Sequence, residues 1–144
     1  MNKTTLSIKE KHDYDWFLID ANCATLGRLS SEISKILLGK NNPHYNPSQN
    51  IQQGVIVINA EKIIVTGKKE TDKFYYRHSG TPGGLTIETF KELQNRLPSR
   101  IIEKSVKGML PKGSLGRELF TKLKIYTGST HPHAAQSPKK ITIH

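Results

Sequence analysis

At 144 residues the chain suits one domain, a length that buries roughly 68–70% of the surface the unfolded chain exposes, enough for a real core. It carries 22 Lys and Arg against 12 Asp and Glu, a formal net charge of +10. Such an excess repels itself in a compact state unless a polyanion offsets it, and nucleic acid is the commonest such partner. The lone Cys23 excludes an intrachain disulfide and a cysteine-cluster metal site, and no apolar run approaches the ~20 residues of a membrane helix.

Residues 1–14 are polar and read as a flexible N-terminal arm; they lack an apolar signal core, and Glu10 and Asp13 argue against an organellar transit peptide. Trp16 to Asp20 reads as a short buried strand. Thr25 then offers an N-cap, and Leu26, Leu29, Ile33, Ile36 and Leu37 recur at helical spacing up to Gly39, a C-cap residue, so a helix spans 26–38. Asn41 to Gln53 is rich in Asn, Pro and Gln and reads as a loop. Val55 to Asn59 is a continuous β-branched run, the pattern of a central strand covered on both faces.

Ile63 to Thr66 leads into a charged turn at Gly67-Lys68-Lys69, and Phe74 to His78 is a further strand. After the glycine loop Gly80–Gly84, the pattern predicts a second helix capped by Thr86, with Ile87, Phe90, Leu93 and Leu97 on one side. Pro98 ends it and starts a third helix, whose predicted inner face is Ile101, Ile102, Ser105, Val106 and Met109. Pro111 stops that helix, and Ser114 caps a short helical turn through Leu119. Leu123 to Tyr126 alternates, as an edge strand does, and closes a domain of 15–127. The remainder, 128–144, reads as a basic C-terminal extension: from Leu119 onward the chain has no acidic residue. The order of elements predicts an α/β fold, a three-layer α/β/α sandwich on a small, mostly parallel sheet with helices on both faces and flexible basic termini.

Little in this pattern supports chemistry. No G-x-G-x-x-G follows a strand and no G-x-x-x-x-G-K-[ST] occurs. Pro82 sits inside the one glycine loop and has no N–H to offer a phosphate. The acids are scattered, with Asp20 ending a strand and Glu32, Glu88, Glu92 and Glu103 assigned to helix faces, and no G-x-S-x-G elbow is present. His131-Pro132-His133 lacks a third ligand at a usual metal spacing, so its rings are better suited to stacking and hydrogen bonding against RNA. The expected RNA contacts lie on turns, strand ends and the basic C-terminal region: Lys40, Lys68, Lys69, Arg77, His78, Lys107, Lys112, Arg117, Lys122, Lys124, His131, His133, Lys139 and Lys140. No catalytic residue, metal or cofactor is expected. The rival reading is a Rossmann-like enzyme acting on a nucleotide or RNA.

Several stretches together resemble the ribosomal protein L13 family in its bacterial and organellar form. They include Trp16 to Ala21, Leu26-Gly27-Arg28-Leu29, Gly39-Lys40, Val57 to Lys62, Thr66 to Lys69, Tyr75 to His78 and Gly83-Gly84. The most distinctive is Val106-Lys107-Gly108-Met109-Leu110-Pro111-Lys112 with Leu115-Gly116-Arg117, followed by Leu123 to Tyr126 and His131 to Pro138. The resemblance runs through 15–138 in register. It implies a structural constituent of the large ribosomal subunit that binds large-subunit rRNA early in assembly, beside neighbouring large-subunit proteins. It implies no catalytic activity, membrane or small-molecule substrate. Gln52-Gln53 departs from a Gly-Asp pair frequent in the family, and Asn50 from an acid. Lys outnumbers Arg 17 to 5, which suggests an AT-rich coding genome; the plastid stroma is the favoured location, with the bacterial cytoplasm as the alternative.

Overall fold

The computed structural model describes residues 15–43, 45–47 and 52–142. The expected arm at 1–14 and the position of Asn50 lie outside them. Strand β1 (Asp15–Asp20) leads through helix α1 (Leu26–Leu38) to β2 (Gln53–Ile58). A short helix α2 (Lys69–Asp72) precedes a hairpin of β3 (Phe74–His78) and β4 (Leu85–Thr89). Helices α3 (Phe90–Arg96), α4 (Ser99–Met109) and α5 (Ser114–Thr121) lead to β5 (Leu123–Ile125), and β6 (Lys139–Ile141) is the last strand.

The main sheet has the order β5-β2-β1-β6, and all three pairings are parallel. The run Val55-Ile56-Val57 is fully buried in β2, flanked by a strand on each side, as its lack of alternation predicts. Residues of one parity, Ile19, Val55, Val57 and Leu123, join Leu29, Ile33, Leu37, Phe90, Ile101, Ile102, Val106 and Leu119 in a single core. Helices α1, α4 and α5 therefore share one face, and α3 packs on α4 and the hairpin. Gly39 closes α1 in the left-handed conformation (φ 74°), its N–H donating to the Ile36 carbonyl.

The opposite face is covered differently. Chain 126–138 crosses from edge strand β5 over β2 and β1 to edge strand β6, with one turn of 3₁₀ helix at Ala134–Gln136. Trp16 lies flat on Gly54, where an added Cβ would meet its ring at 2.5 Å. His133 of the crossover stacks on that tryptophan, with ring centroids 6.0 Å apart and 9° between planes. The residues expected to trail away from the domain thus return to it, because β1 has an open parallel edge that β6 fills.

Four expectations change. Thr86 does not cap a helix: Leu85–Thr89 is a strand paired with β3, and Thr89 caps α3 through a capping box with Glu92. Glu88 accordingly lies on a strand, where it pairs with Arg96 at 2.7 Å. Ile87, Leu97 and Met109 are not core residues but are 52%, 40% and 45% exposed. The spacing of Ile87 matched a helix by coincidence; the true signal was the alternation of Leu85-Thr86-Ile87-Glu88-Thr89. Gly113 rather than Ser114 occupies the N-cap of α5.

Candidate nucleic-acid interface

The cations gather in four places. After Ile64 bridges to Thr25, the chain turns at Gly67 (φ 65°) into α2, which sets Lys68 and Lys69 at the surface. Lys69 and Lys73 there meet Arg28, from the first turn of α1, around a groove of about 880 Å³. Lys69 Nζ stands 3.5 Å from Thr66 Oγ1, and Lys73 Nζ lies over the Tyr75 ring at 5.5 Å.

The second cluster is built on the turn between α4 and α5. Gly116 packs so closely under the Pro111 carbonyl that a side chain there would collide with it. Lys112 and Arg117, each next in sequence to one of these two residues, are exposed. Lys107, also exposed, has its ammonium over the Phe120 ring at 6.0 Å.

The third set belongs to the main sheet. Lys124 and Lys140 occupy the same register row as Ile56 and Leu18, one on each edge strand, so both fall on the crossover face. Lys140 is exposed and Lys124 half-buried. Lys139 points to the other face and pairs with Asp15 at 2.8 Å. Lys122 is half-buried, and desolvation pushes its ammonium pKa down, with Glu118 pulling the other way.

The fourth place is the hairpin, where Arg77 and His78 stand exposed at the end of β3. His78 Nδ1 accepts the Gly80 N–H at 2.9 Å, which orients the ring toward the loop. The face of this ribbon carrying Phe74, Tyr76, Leu85 and Ile87 is exposed, with His78 opposite Leu85 at its loop end. Lys40 stands apart, exposed just after the α1 cap.

The two crossover histidines are not free in an extended segment. His133 is half-buried, shares a 2.7 Å hydrogen bond with the Tyr126 hydroxyl, and stacks with Trp16 and with His131. Its backbone N–H donates to His131 Nδ1 at 3.2 Å. Among the described residues no group of three His, Cys, Asp or Glu is placed to hold a metal ion, and no helix is long and apolar enough to cross a membrane.

Sequence reasoning missed Arg28 and Lys73. A cation on the outer face of an amphipathic helix is indistinguishable from a solvated charge until the fold brings partners beside it. The clue available was local: the first turn of α1 has no acid to neutralise Arg28.

This architecture defines a class: an α/β protein whose basic side chains project from turns, helix ends and sheet edges. Residues 14–132 match the family model described as ribosomal protein L13. The large ribosomal subunit protein uL13 of Gloeothece citriformis is 62% identical over 99% of this chain and 95% of its own length. That of Nostoc sp. is 58% identical over 100% and 95%, and uL13c of Guillardia theta 60% over 99% and 100%. The chain belongs to the ribosomal protein L13 family.

Proposed function

We propose that this protein is a non-catalytic structural constituent of the large ribosomal subunit, where it binds large-subunit rRNA and supports subunit assembly. The observation that carries the reading is the release of cations from internal pairing. Among the described residues no ion pair engages Lys40, Lys68, Lys69, Arg77, Lys107, Lys112, Arg117 or Lys140. Charges left unpaired on separate elements can follow an irregular phosphate path that no single helix would match.

Lys122, Lys124 and Lys139 remain contacts in this reading, but burial or Asp15 engages part of their capacity. His131 offers a ring to RNA more readily than His133. The apolar outer face of the hairpin at Phe74, Tyr76, Leu85 and Ile87 suits an apolar surface of a neighbouring subunit protein better than phosphate, which leaves His78 at its loop end for RNA. The relatives are cyanobacterial proteins and a uL13c, which supports the plastid stroma as the location, with the bacterial cytoplasm as the alternative.

Crosslinking of intact large subunits tests the assignment. Lysine–RNA crosslinks are expected at Lys68, Lys69, Lys112 and Lys140. Crosslinks confined to other lysines, or none to RNA, would overturn it.

A further inference from the structure

The groove between the start of α1 and the end of α4 contains more than cations. Its walls come from residues 25–28, 64–66, 69, 72–73, 105 and 109, brought together only by the fold. Ile64 and Met109 line it, and each is 45% exposed. Met109 has the spacing of a core residue of α4, yet the core closes without it. Around these two apolar side chains stand Arg28, Lys69 and Lys73, none in an ion pair among the described residues. The one acid in the lining, Asp72, takes a hydrogen bond from the Thr71 hydroxyl at 2.9 Å.

An apolar floor with a cationic rim matches a ligand that is flat and apolar at one end and anionic at the other. Phosphate alone would use the rim and leave the floor wet. A paired RNA helix presents its backbone outward and keeps its bases stacked inside. A single unstacked nucleotide satisfies both parts, and single-stranded segments are where RNA bases become available to side chains. The methionine thioether makes favourable contacts with aromatic rings, and a guanidinium can stack on a base or fork onto a phosphate. We infer that this groove takes one unstacked nucleotide of RNA, its base against Ile64 and Met109 and its phosphates against Arg28, Lys69 and Lys73. This deepens the rRNA-binding reading and rests on it.

The chain contains two methionines, Met1 and Met109, so methyl-¹³C-methionine labelling of the full-length protein yields two resonances. Met109→Leu assigns them. The protein is titrated with a single-stranded RNA hexamer, with a duplex of the same strand and with inorganic phosphate, while fluorescence polarisation of labelled RNA reports total binding. The single strand is expected to move the Met109 methyl upfield through the ring current of the base, with phosphate leaving it in place and the duplex moving it far less. Met109→Ala is expected to weaken single-strand binding roughly tenfold, the scale of one lost base–side-chain stack. Arg28→Ala, with its fold verified by an unchanged circular-dichroism spectrum and melting temperature, is expected to abolish the methyl shift. A bound single strand that leaves the methyl unmoved would overturn the groove proposal while the general RNA reading stands. Equal shifts from duplex and single strand would overturn the base site, and polarisation that detects no RNA binding at all would overturn both.

Discussion

At Tyr75 the side chain is buried against the core, and its hydroxyl has no hydrogen-bond partner among the described residues. Desolvation raises its pKa accordingly. A desolvated, unpaired hydroxyl costs about 1–3 kcal/mol, whereas the ring keeps its packing and its two cations, Lys73 and Lys104, without it. Tyr75→Phe is therefore expected to stabilise the free protein by about 1 kcal/mol; thermal unfolding measures this, and a lower melting temperature would refute it. Asp20 shows the opposite balance. Hydrogen bonds from the Asn59 side chain at 2.8 Å and the Asn22 backbone N–H at 2.9 Å, with Lys62 nearby, hold its carboxyl below the ordinary value. A lowered folded-state pKa contributes stability that is present above the unfolded pKa of about 3.9 and is lost as pH falls through the folded value. Asn59 sits at φ 57°, so Asn59→Gly removes the amide without straining the backbone. The variant is expected to raise the Asp20 midpoint, read by carbon-detected NMR titration. The electrostatic part of its stability deficit should shrink as the pH falls below about 4.

Single elements carry their own tests. Within β2, Ile56 is fully buried, while Ile58 at the strand end is half-buried. Ile56→Ala is expected to cost about 2–5 kcal/mol, and Ile58→Ala distinctly less. Equal losses in denaturant unfolding would refute this difference in burial. In that crossover His133 both stacks on Trp16 and hydrogen-bonds Tyr126. His133→Ala leaves a partly buried hydroxyl without its partner and is expected to cost about 1–3 kcal/mol of stability, more than His131→Ala. A pair of variants with identical melting temperatures would count against this. Such a role could not be read from His-Pro-His itself, because nothing local places Trp16 beneath a ring more than a hundred residues later. The hairpin teaches a related lesson. β3 was legible from Phe74 to His78, but β4 lost to a helical pattern because Ile87, Phe90, Leu93 and Leu97 share a helical spacing.

For the whole molecule the +10 charge sets the dependence on salt. If about 6–10 phosphates are neutralised, affinity for RNA should fall by roughly 10³–10⁵ between 50 and 200 mM monovalent salt, on the scale calibrated for duplex DNA. Filter binding against salt concentration checks this, and a nearly flat response would exclude counterion release as the main source of affinity. What the amino-acid order determined alone was whatever depends on neighbours along the chain: α1 with its glycine cap, the central strand β2, the boundaries at Pro98 and Pro111, and the cationic excess. What only the tertiary structure decided was whatever depends on residues meeting across the chain. The return of β6 to the open edge of β1, the closure of one sheet face by Trp16 and His133, and the joining of Arg28, Lys73 and Met109 in one groove are all of this kind. Their physical cause is long-range: a parallel edge, a flat ring and a groove wall each select partners by shape and exposed area, and local periodicity holds no record of either.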